Sequence, residues 1–145
     1  MNKFSPVHIY TDGSCNYAGK RECGVGVYMS TTYKGKEYSK KYSKVIRSAS
    51  TSNMAELAAI RYALDILHPT TRDVIIYSDS QYAVKVLTGQ AKFHKNKELI
   101  YETQRLVKLH GATLIHIPRK ENTVANSMAR KAMMNAKHNG KNTDD

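Results

Sequence analysis

Tryptophan is absent from this 145-residue chain, proline occurs only three times, and there are two cysteines, Cys15 and Cys23. Two cysteines make no disulfide framework, and no Cys/His spacing suggests a zinc site. No apolar run approaches the roughly 20 residues of a membrane span. The opening Met1-Asn2-Lys3-Phe4-Ser5-Pro6 lacks the apolar stretch of a signal peptide. A cytoplasmic protein with both cysteines as reduced thiols is the expectation. Acids are scarce too: 12 Asp+Glu stand against 23 Lys+Arg, a formal charge of +11. That imbalance favours a polyanionic partner, nucleic acid first, with membrane surfaces and acidic proteins as competitors. The hydrophobic share of 41% argues against wholesale disorder. The length suits one domain, able to bury roughly 70% of its unfolded surface without a metal or disulfide cage.

Val7 to Asp12 alternates apolar and polar residues and reads as a strand ending in the turn signal Asp12-Gly13-Ser14. Gly24 to Met29 reads as a second strand. Lys34-Gly35-Lys36 reads as a hairpin turn, and Glu37 to Arg47 as a third, lysine-rich strand suited to a solvated edge. Ser50-Thr51-Ser52-Asn53 supplies helix-capping oxygens, and Leu57, Ile60, Leu64 and Leu67 follow at helical spacing until His68-Pro69. Val74 to Tyr77 is a short buried strand. Helices are expected from about Gln81 to Leu87, closed by Gly89, and from about Lys95 to Leu109, closed by Gly111. Ala112 to Ile117 is the last strand. Asn122 can cap the final helix, Val124 to about Ala136. This order predicts an α/β domain over residues 1–137 with a mixed five-stranded sheet, three antiparallel strands and then parallel ones, flanked by helices. Residues 138–145 form a polar tail expected to be disordered.

In so basic a chain, acids in apolar surroundings stand out. Asp12 and Asp79 each end a predicted strand, and ligands collect at the carboxyl ends of strands in open α/β sheets. Glu56 opens a helix whose Ala59 and Ala63 leave room on its face for the carboxylate to lean toward the sheet. Three carboxylates brought together repel one another and call for a cation. Hard oxygen ligands select Mg²⁺ or Mn²⁺. On a basic protein such a cluster points to phosphodiester hydrolysis with two ions about 4 Å apart. Taken singly, each acid is better explained as a turn former or a partner of the helix dipole; it is the joint pattern that points to a site.

The segments Tyr10-Thr11-Asp12-Gly13-Ser14-Cys15, Thr51-Ser52-Asn53-Met54-Ala55-Glu56-Leu57, Tyr77-Ser78-Asp79-Ser80-Gln81-Tyr82, and His116 through Asn122-Thr123-Val124-Ala125-Asn126-Ser127-Met128-Ala129 resemble the four blocks of type 1 ribonuclease H, in order, across roughly residues 6–137. The resemblance implies a ribonuclease H-like fold and endonucleolytic cleavage of the RNA strand of an RNA–DNA hybrid. It implies 5′-phosphate and 3′-hydroxyl ends, and two Mg²⁺ or Mn²⁺ ions with substrate bound. It places Asp12, Glu56 and Asp79 on three of four metal-binding carboxylates, with Asp12 bridging both ions and Asp79 positioning one. At the fourth position the family usually has Asp, whereas this chain has Asn126. Its amide oxygen can still coordinate an ion or orient a metal-bound water but brings no charge. A weaker second ion and a shift toward Mn²⁺ are therefore expected. By the same resemblance His116 aids proton transfer or product release, although a place on the last strand between Ile115 and Ile117 would also account for it.

The resemblance further places Cys15, Asn16, Ser52, Asn53 and Gln81 in contact with the minor groove, where the 2′-hydroxyl distinguishes RNA. Thr51 and Asn96 match positions that hold a DNA-strand phosphate; both could instead be helix caps. Only 16 residues separate Asp79 from Asn96, too few for the basic helical protrusion of larger members. Lys92, Lys95 and Lys97, with His94, are candidates for a reduced substitute, making salt-sensitive contacts to phosphate. A monomer acting on RNA–DNA hybrid, away from membranes, is expected. The alternatives are another nuclease of the superfamily acting on DNA or structured nucleic acid, and a binding module that has lost catalysis.

Overall fold

The computed structural model describes residues 4–16, 22–47 and 49–138. The expected tail beyond His138 lies outside the described residues. The strands are β1 (Val7–Asn16), β2 (Glu22–Tyr33), β3 (Lys36–Ile46), β4 (Val74–Ser78) and β5 (Ala112–His116). The helices are α1 (Ser52–Ile66), α2 (Gln81–Leu87), α3 (Lys97–His110) and α4 (Thr123–His138), with a 3₁₀ turn over Arg119–Glu121. They form one five-stranded sheet ordered β3-β2-β1-β4-β5. β1–β2 and β2–β3 pair antiparallel; β1–β4 and β4–β5 pair parallel. The expected mixed sheet is therefore present. Among the described residues no helix is long and apolar enough to cross a membrane.

The core lies between the sheet and α1 to α3. Ile9, Val27, Val74 and Ile76 meet Leu57, Ile60 and Leu64 of α1, with Ile100 of α3 behind them. The helical stripe read from the sequence is the buried one, except that Leu67 is only partly covered. α4 lies on the opposite face, where Ser43 Oγ donates to the Met128 carbonyl at 2.6 Å. Arg61 of α1 pairs with both Asp65 and Glu102, tying α1 to α3.

Three local expectations are corrected. Asp12-Gly13-Ser14 is not a turn: β1 runs on to Asn16, because β2 continues to pair with it from Asp12↔Gly26 to Asn16↔Glu22. The parallel ladder with β4, however, ends at Thr11↔Ser78, so Asp12 still stands where β1 and β4 part. Glycine is needed at 13 for a close approach, since a Cβ there would lie 2.2 Å from the Ala55 carbonyl carbon. The cysteines are not free thiols. The antiparallel register sets Cys15 opposite Cys23, Cα–Cα 4.0 Å, and a disulfide joins them. Glu56 is the fifth residue of α1, so it belongs to the second turn rather than the first. The hairpin turn is as expected, with both Lys34 and Gly35 in the left-handed region, which suits a two-residue loop between twisted strands.

Candidate metal and nucleic-acid site

Three different elements deliver the acids to one place. Asp12 comes from β1, Glu56 from α1 and Asp79 from the residue after β4. One carboxylate oxygen from each can be chosen so that all lie within 4.8 Å of one another. The Gly13 approach lets α1 sit close enough for its side chain to reach the sheet. The Gly13 amide then donates to Glu56 Oε1 at 3.0 Å, so Glu56 leans inward as its alanine-rich face suggests. Ala59 and Ala63 are fully buried beside it.

Burial and mutual repulsion mark the chemistry of this cluster. Desolvation, and then the charge of Asp79, push the Asp12 carboxyl up to about 6 against a hydrogen bond from Asn126. Desolvation, followed by the charges of Asp12 and Asp79, pushes Glu56 up to about 9. Arg119 lowers both, and does so from the short 3₁₀ turn beside the site. A divalent cation would relieve the same repulsion more completely. An all-oxygen donor set of three carboxylates fits Mg²⁺ or Mn²⁺ and offers nothing soft to Zn²⁺.

Asn126, in the first turns of α4, joins the cluster. Its amide nitrogen donates to Asp12 Oδ2 at 2.8 Å. Its Oδ1 is the atom left to face a cation or water. Asn122 was expected only as a cap, but its side chain serves the site. Nδ2 donates to the Thr11 carbonyl at 2.8 Å and to Asp79 Oδ2 at 3.2 Å, while Oδ1 is buried without a partner. The signal lay in the fourth block, where Asn122 falls one helical turn before Asn126. Arg119 carried no such signal, because its role depends on how the 3₁₀ turn folds. His116 ends β5 opposite Ser78, next to Asp79 in register, and is exposed. It does stand on the last strand, at a position that also faces solvent beside the acids.

The predicted substrate contacts divide into groups. Asn53, Lys92, Lys95 and Asn96 converge, with Tyr82 and His94, around one hollow of about 290 Å³. Thr51 and Lys97 do not line it. Thr51 caps α1, accepting from the Met54 amide at 3.2 Å. Asn96 occupies the N-cap position of α3 in the left-handed region, yet its side chain makes no cap bond; Nδ2 donates to the Tyr82 hydroxyl at 3.1 Å. Ser52 and Asn53 open α1, Gln81 opens α2, and all three are exposed. Cys15 and Asn16 end β1, and with the Cys15 sulfur in a disulfide only its backbone remains for a groove contact.

The sequence profile of the RNase H family matches residues 5–137. A search of curated protein sequences finds no match. Among solved structures, the chain is similar to LC11-RNase H1, isolated from compost and crystallised with RNA/DNA hybrid: identity is 26%, coverage 90% of this chain and 98% of that one, TM-score 0.76. It is similar to RNase H1 of the halophilic archaeon Halobacterium salinarum NRC-1, at 27% identity, 90% and 99% coverage and TM-score 0.72. The N-terminal RNase H domain of Rv2228c from Mycobacterium tuberculosis shares the fold at 23% identity, 94% and 99% coverage and TM-score 0.78.

Proposed function

This chain belongs to the RNase H family and is a ribonuclease H that cleaves the RNA strand of RNA–DNA hybrids; we propose that it does so through Asp12, Glu56 and Asp79, with Asn126 completing the site. The observation that carries this reading is the convergence of three acids on one point in a chain of charge +11. Two Mg²⁺ or Mn²⁺ ions held there with substrate would supply a nucleophile at neutral pH and neutralise charge on the scissile phosphate. Asp12, Glu56 and Asp79 would hold the ions, since one carboxylate oxygen from each lies within 4.8 Å of the others. Asn122 fixes the Asp79 carboxylate and Asn126 fixes that of Asp12, so neither has to be ordered when substrate arrives. Attack at phosphorus breaks the bond to the 3′ oxygen, leaving a 5′-phosphate and a 3′-hydroxyl. His116, exposed at the end of β5 opposite Ser78, gives a proton from a ring nitrogen to the departing 3′ oxygen.

Thr51, Asn96 and the lysines around the 290 Å³ hollow hold the DNA-strand backbone, while Asn53, at the rim of that hollow, faces the RNA groove with the helix-opening Ser52 and Gln81 and the end of β1. The protein works as a monomer on one hybrid. A panel of hybrid, double-stranded RNA and double-stranded DNA, run with Mg²⁺ and with Mn²⁺, tests the assignment. Cleavage of the hybrid RNA strand alone, abolished in Asp12→Asn, is expected. Hybrid binding without cleavage in either metal would instead mark a binding module, and cleavage of duplex DNA would mark a different nuclease.

A further inference from the structure

β3 is an edge strand, and its sequence alternates in kind: Lys36, Tyr38, Lys40, Tyr42 and Lys44 occupy every second position. Alternation along a strand puts all five on one face. That face is the α1 side, because Tyr42 packs on the main core and Lys44 Nζ stands 5.1 Å from the Tyr62 ring centroid of α1. Glu37 points to the other face by the same rule. With Tyr42 and Lys44 turned to α1, the open part of the row is Lys36-Tyr38-Lys40. It continues across the hairpin to Tyr33 and Lys34. Tyr38 is 48% exposed and Tyr33 46%. Lys36 Nζ lies 5.5 Å from the Tyr38 ring and Lys34 Nζ 5.3 Å from that of Tyr33.

Two features turn this row into a surface able to take a ligand. Beside Tyr38 lies a hollow of about 270 Å³ lined mainly by Val7, Met29, Thr31, Tyr38 and Lys40. At its end Arg72 is fixed between the Phe4 and Tyr33 rings, 5.4 and 5.7 Å from their centroids, and donates to the Ser5 carbonyl, Thr31 Oγ1 and the Thr32 carbonyl. Phe4 and Tyr33 are thus held in place by Arg72. Lysines on an edge strand are sufficiently explained as protection against edge-to-edge pairing. Exposed tyrosines between them are not, since they add the apolar surface that such protection removes.

We infer that the Tyr33–Lys36–Tyr38–Lys40 row is a second nucleic-acid surface, which binds an unpaired strand by stacking its bases on the tyrosines and pairing its phosphates with the lysines. It sits at the hairpin end of the sheet, away from the Asp12 end. Rings serve any base and ammonium groups serve any phosphate, so the surface does not read sequence or sugar. Charge selects this occupant over a second copy of the chain, whose own lysines would be set against these.

The experiment measures binding of labelled oligo-dT and oligo-rU to the intact protein in EDTA, where no cleavage can occur. It runs beside cleavage of a short blunt hybrid. Both oligonucleotides should bind, with affinity falling steeply as salt rises. Tyr38→Ser should weaken both by about tenfold, the scale of one lost stacking contact. Lys36→Gln with Lys40→Gln should lower the slope of log affinity against log salt by about 1.4, since each phosphate contact on a single strand contributes about 0.7. Blunt-hybrid kcat/KM should stay unchanged in each variant. Photocrosslinking of bromouridine-substituted oligo-rU to the wild-type protein should map to Tyr33 or Tyr38, a readout that needs no variant to fold. Variants that bind as wild type does, crosslinks confined to the hollow around Asn96, displacement of the oligonucleotide by polyglutamate, or dimerisation abolished by the same variants would each overturn the inference. Loss of hybrid cleavage in wild type would bear on the assigned activity and leave this binding result standing.

Discussion

Asn126 donates its amide hydrogen to Asp12 Oδ2 across 2.8 Å, so an uncharged side chain steadies the most deeply buried acid of the cluster. The bond lowers the pKa of a carboxyl that burial and Asp79 raise. Asn126→Asp replaces that donor with a fourth negative charge. In EDTA the variant should melt below wild type. It should bind Mg²⁺ and Mn²⁺ more tightly, by about tenfold or more, since one added charge at contact distance is worth over 1 kcal/mol even at high effective dielectric. Calorimetric titration of both ions checks this. Wild type should show the larger advantage of Mn²⁺ over Mg²⁺, and should already cleave hybrid. An inactive wild type rescued by Asn126→Asp would refute native catalysis.

The raised carboxyls give the metal-free protein a reversed pH dependence. Asp12 moves up from 3.8 to about 6 and Glu56 from 4.5 to about 9. A folded-state pKa above the unfolded value means that the native state binds the extra proton. The stabilisation is therefore complete below the unfolded values and is lost as pH rises through about 6 and then about 9. In EDTA the urea midpoint should fall steadily between pH 5 and 9. Saturating Mg²⁺, which needs the charged forms, should flatten or invert that slope, and its apparent affinity should rise with pH. Glu56→Gln should remove the upper part of the EDTA slope, gain up to about 5 kcal/mol at pH 8, where the unfolded glutamate is charged and the folded one is not, and abolish cleavage.

Asn122 holds two parts of the site with one amino group. Asn122→Ala would orphan the buried Thr11 carbonyl and release Asp79. A loss of about 1–3 kcal/mol in urea unfolding is expected from the carbonyl alone. The released carboxylate should also weaken ion binding severalfold, which a merely structural residue would not do. Asn122→Asp should be worse for metal-free stability and distinguishable by its pH slope, because it sets a new charge against Asp79.

Gly13 and Gly26 let helices touch the sheet on opposite faces. A Cβ at Gly13 would lie 2.2 Å from the Ala55 carbonyl, and one at Gly26 2.1 Å from the Ala125 carbonyl. Both obstacles are backbone, so Gly13→Ala and Gly26→Ala should each cost about 3 kcal/mol or more in urea unfolding. Gly13→Ala should also weaken metal binding, because it pushes α1 and Glu56 away from Asp12. These two glycines show where the sequence is legible and where it is not. Hydrophobic spacing reported the stripe on α1, the order of elements and the mixed sheet, since burial period is local. The acids were legible because carboxylates are rare in this chain and fall in recognisable blocks. Asp12-Gly13-Ser14 misread as a turn because a glycine required for close packing has the same local signature as one required for a bend. The facing of Cys15 and Cys23, the aim of Asn122 and the field of Arg119 depend on register and on distant elements, which no local pattern encodes.

Thr51 and Asn96 can be separated by experiment because their side chains do different local work. Thr51 caps α1 through the Met54 amide, so Thr51→Ala should cost about 1 kcal/mol of stability whatever it does to binding. Asn96 stands at the start of α3 without capping it and instead reaches Tyr82 at the hollow shared with Asn53, Lys92 and Lys95. Asn96→Ala would remove a left-handed residue of the kind that asparagine tolerates best, whereas Asn96→Gly keeps that backbone and deletes only the side chain. Asn96→Gly should therefore leave the melting temperature close to wild type while raising the KM for hybrid. Lys92→Gln with Lys95→Gln should raise KM as well and lower the salt slope by about two, since each lysine displaced from a phosphate removes about one released counterion. If Asn96→Gly lowered stability and left KM alone, the side chain would be serving the α3 entrance, and the assignment of the hollow to the DNA-strand backbone would fail.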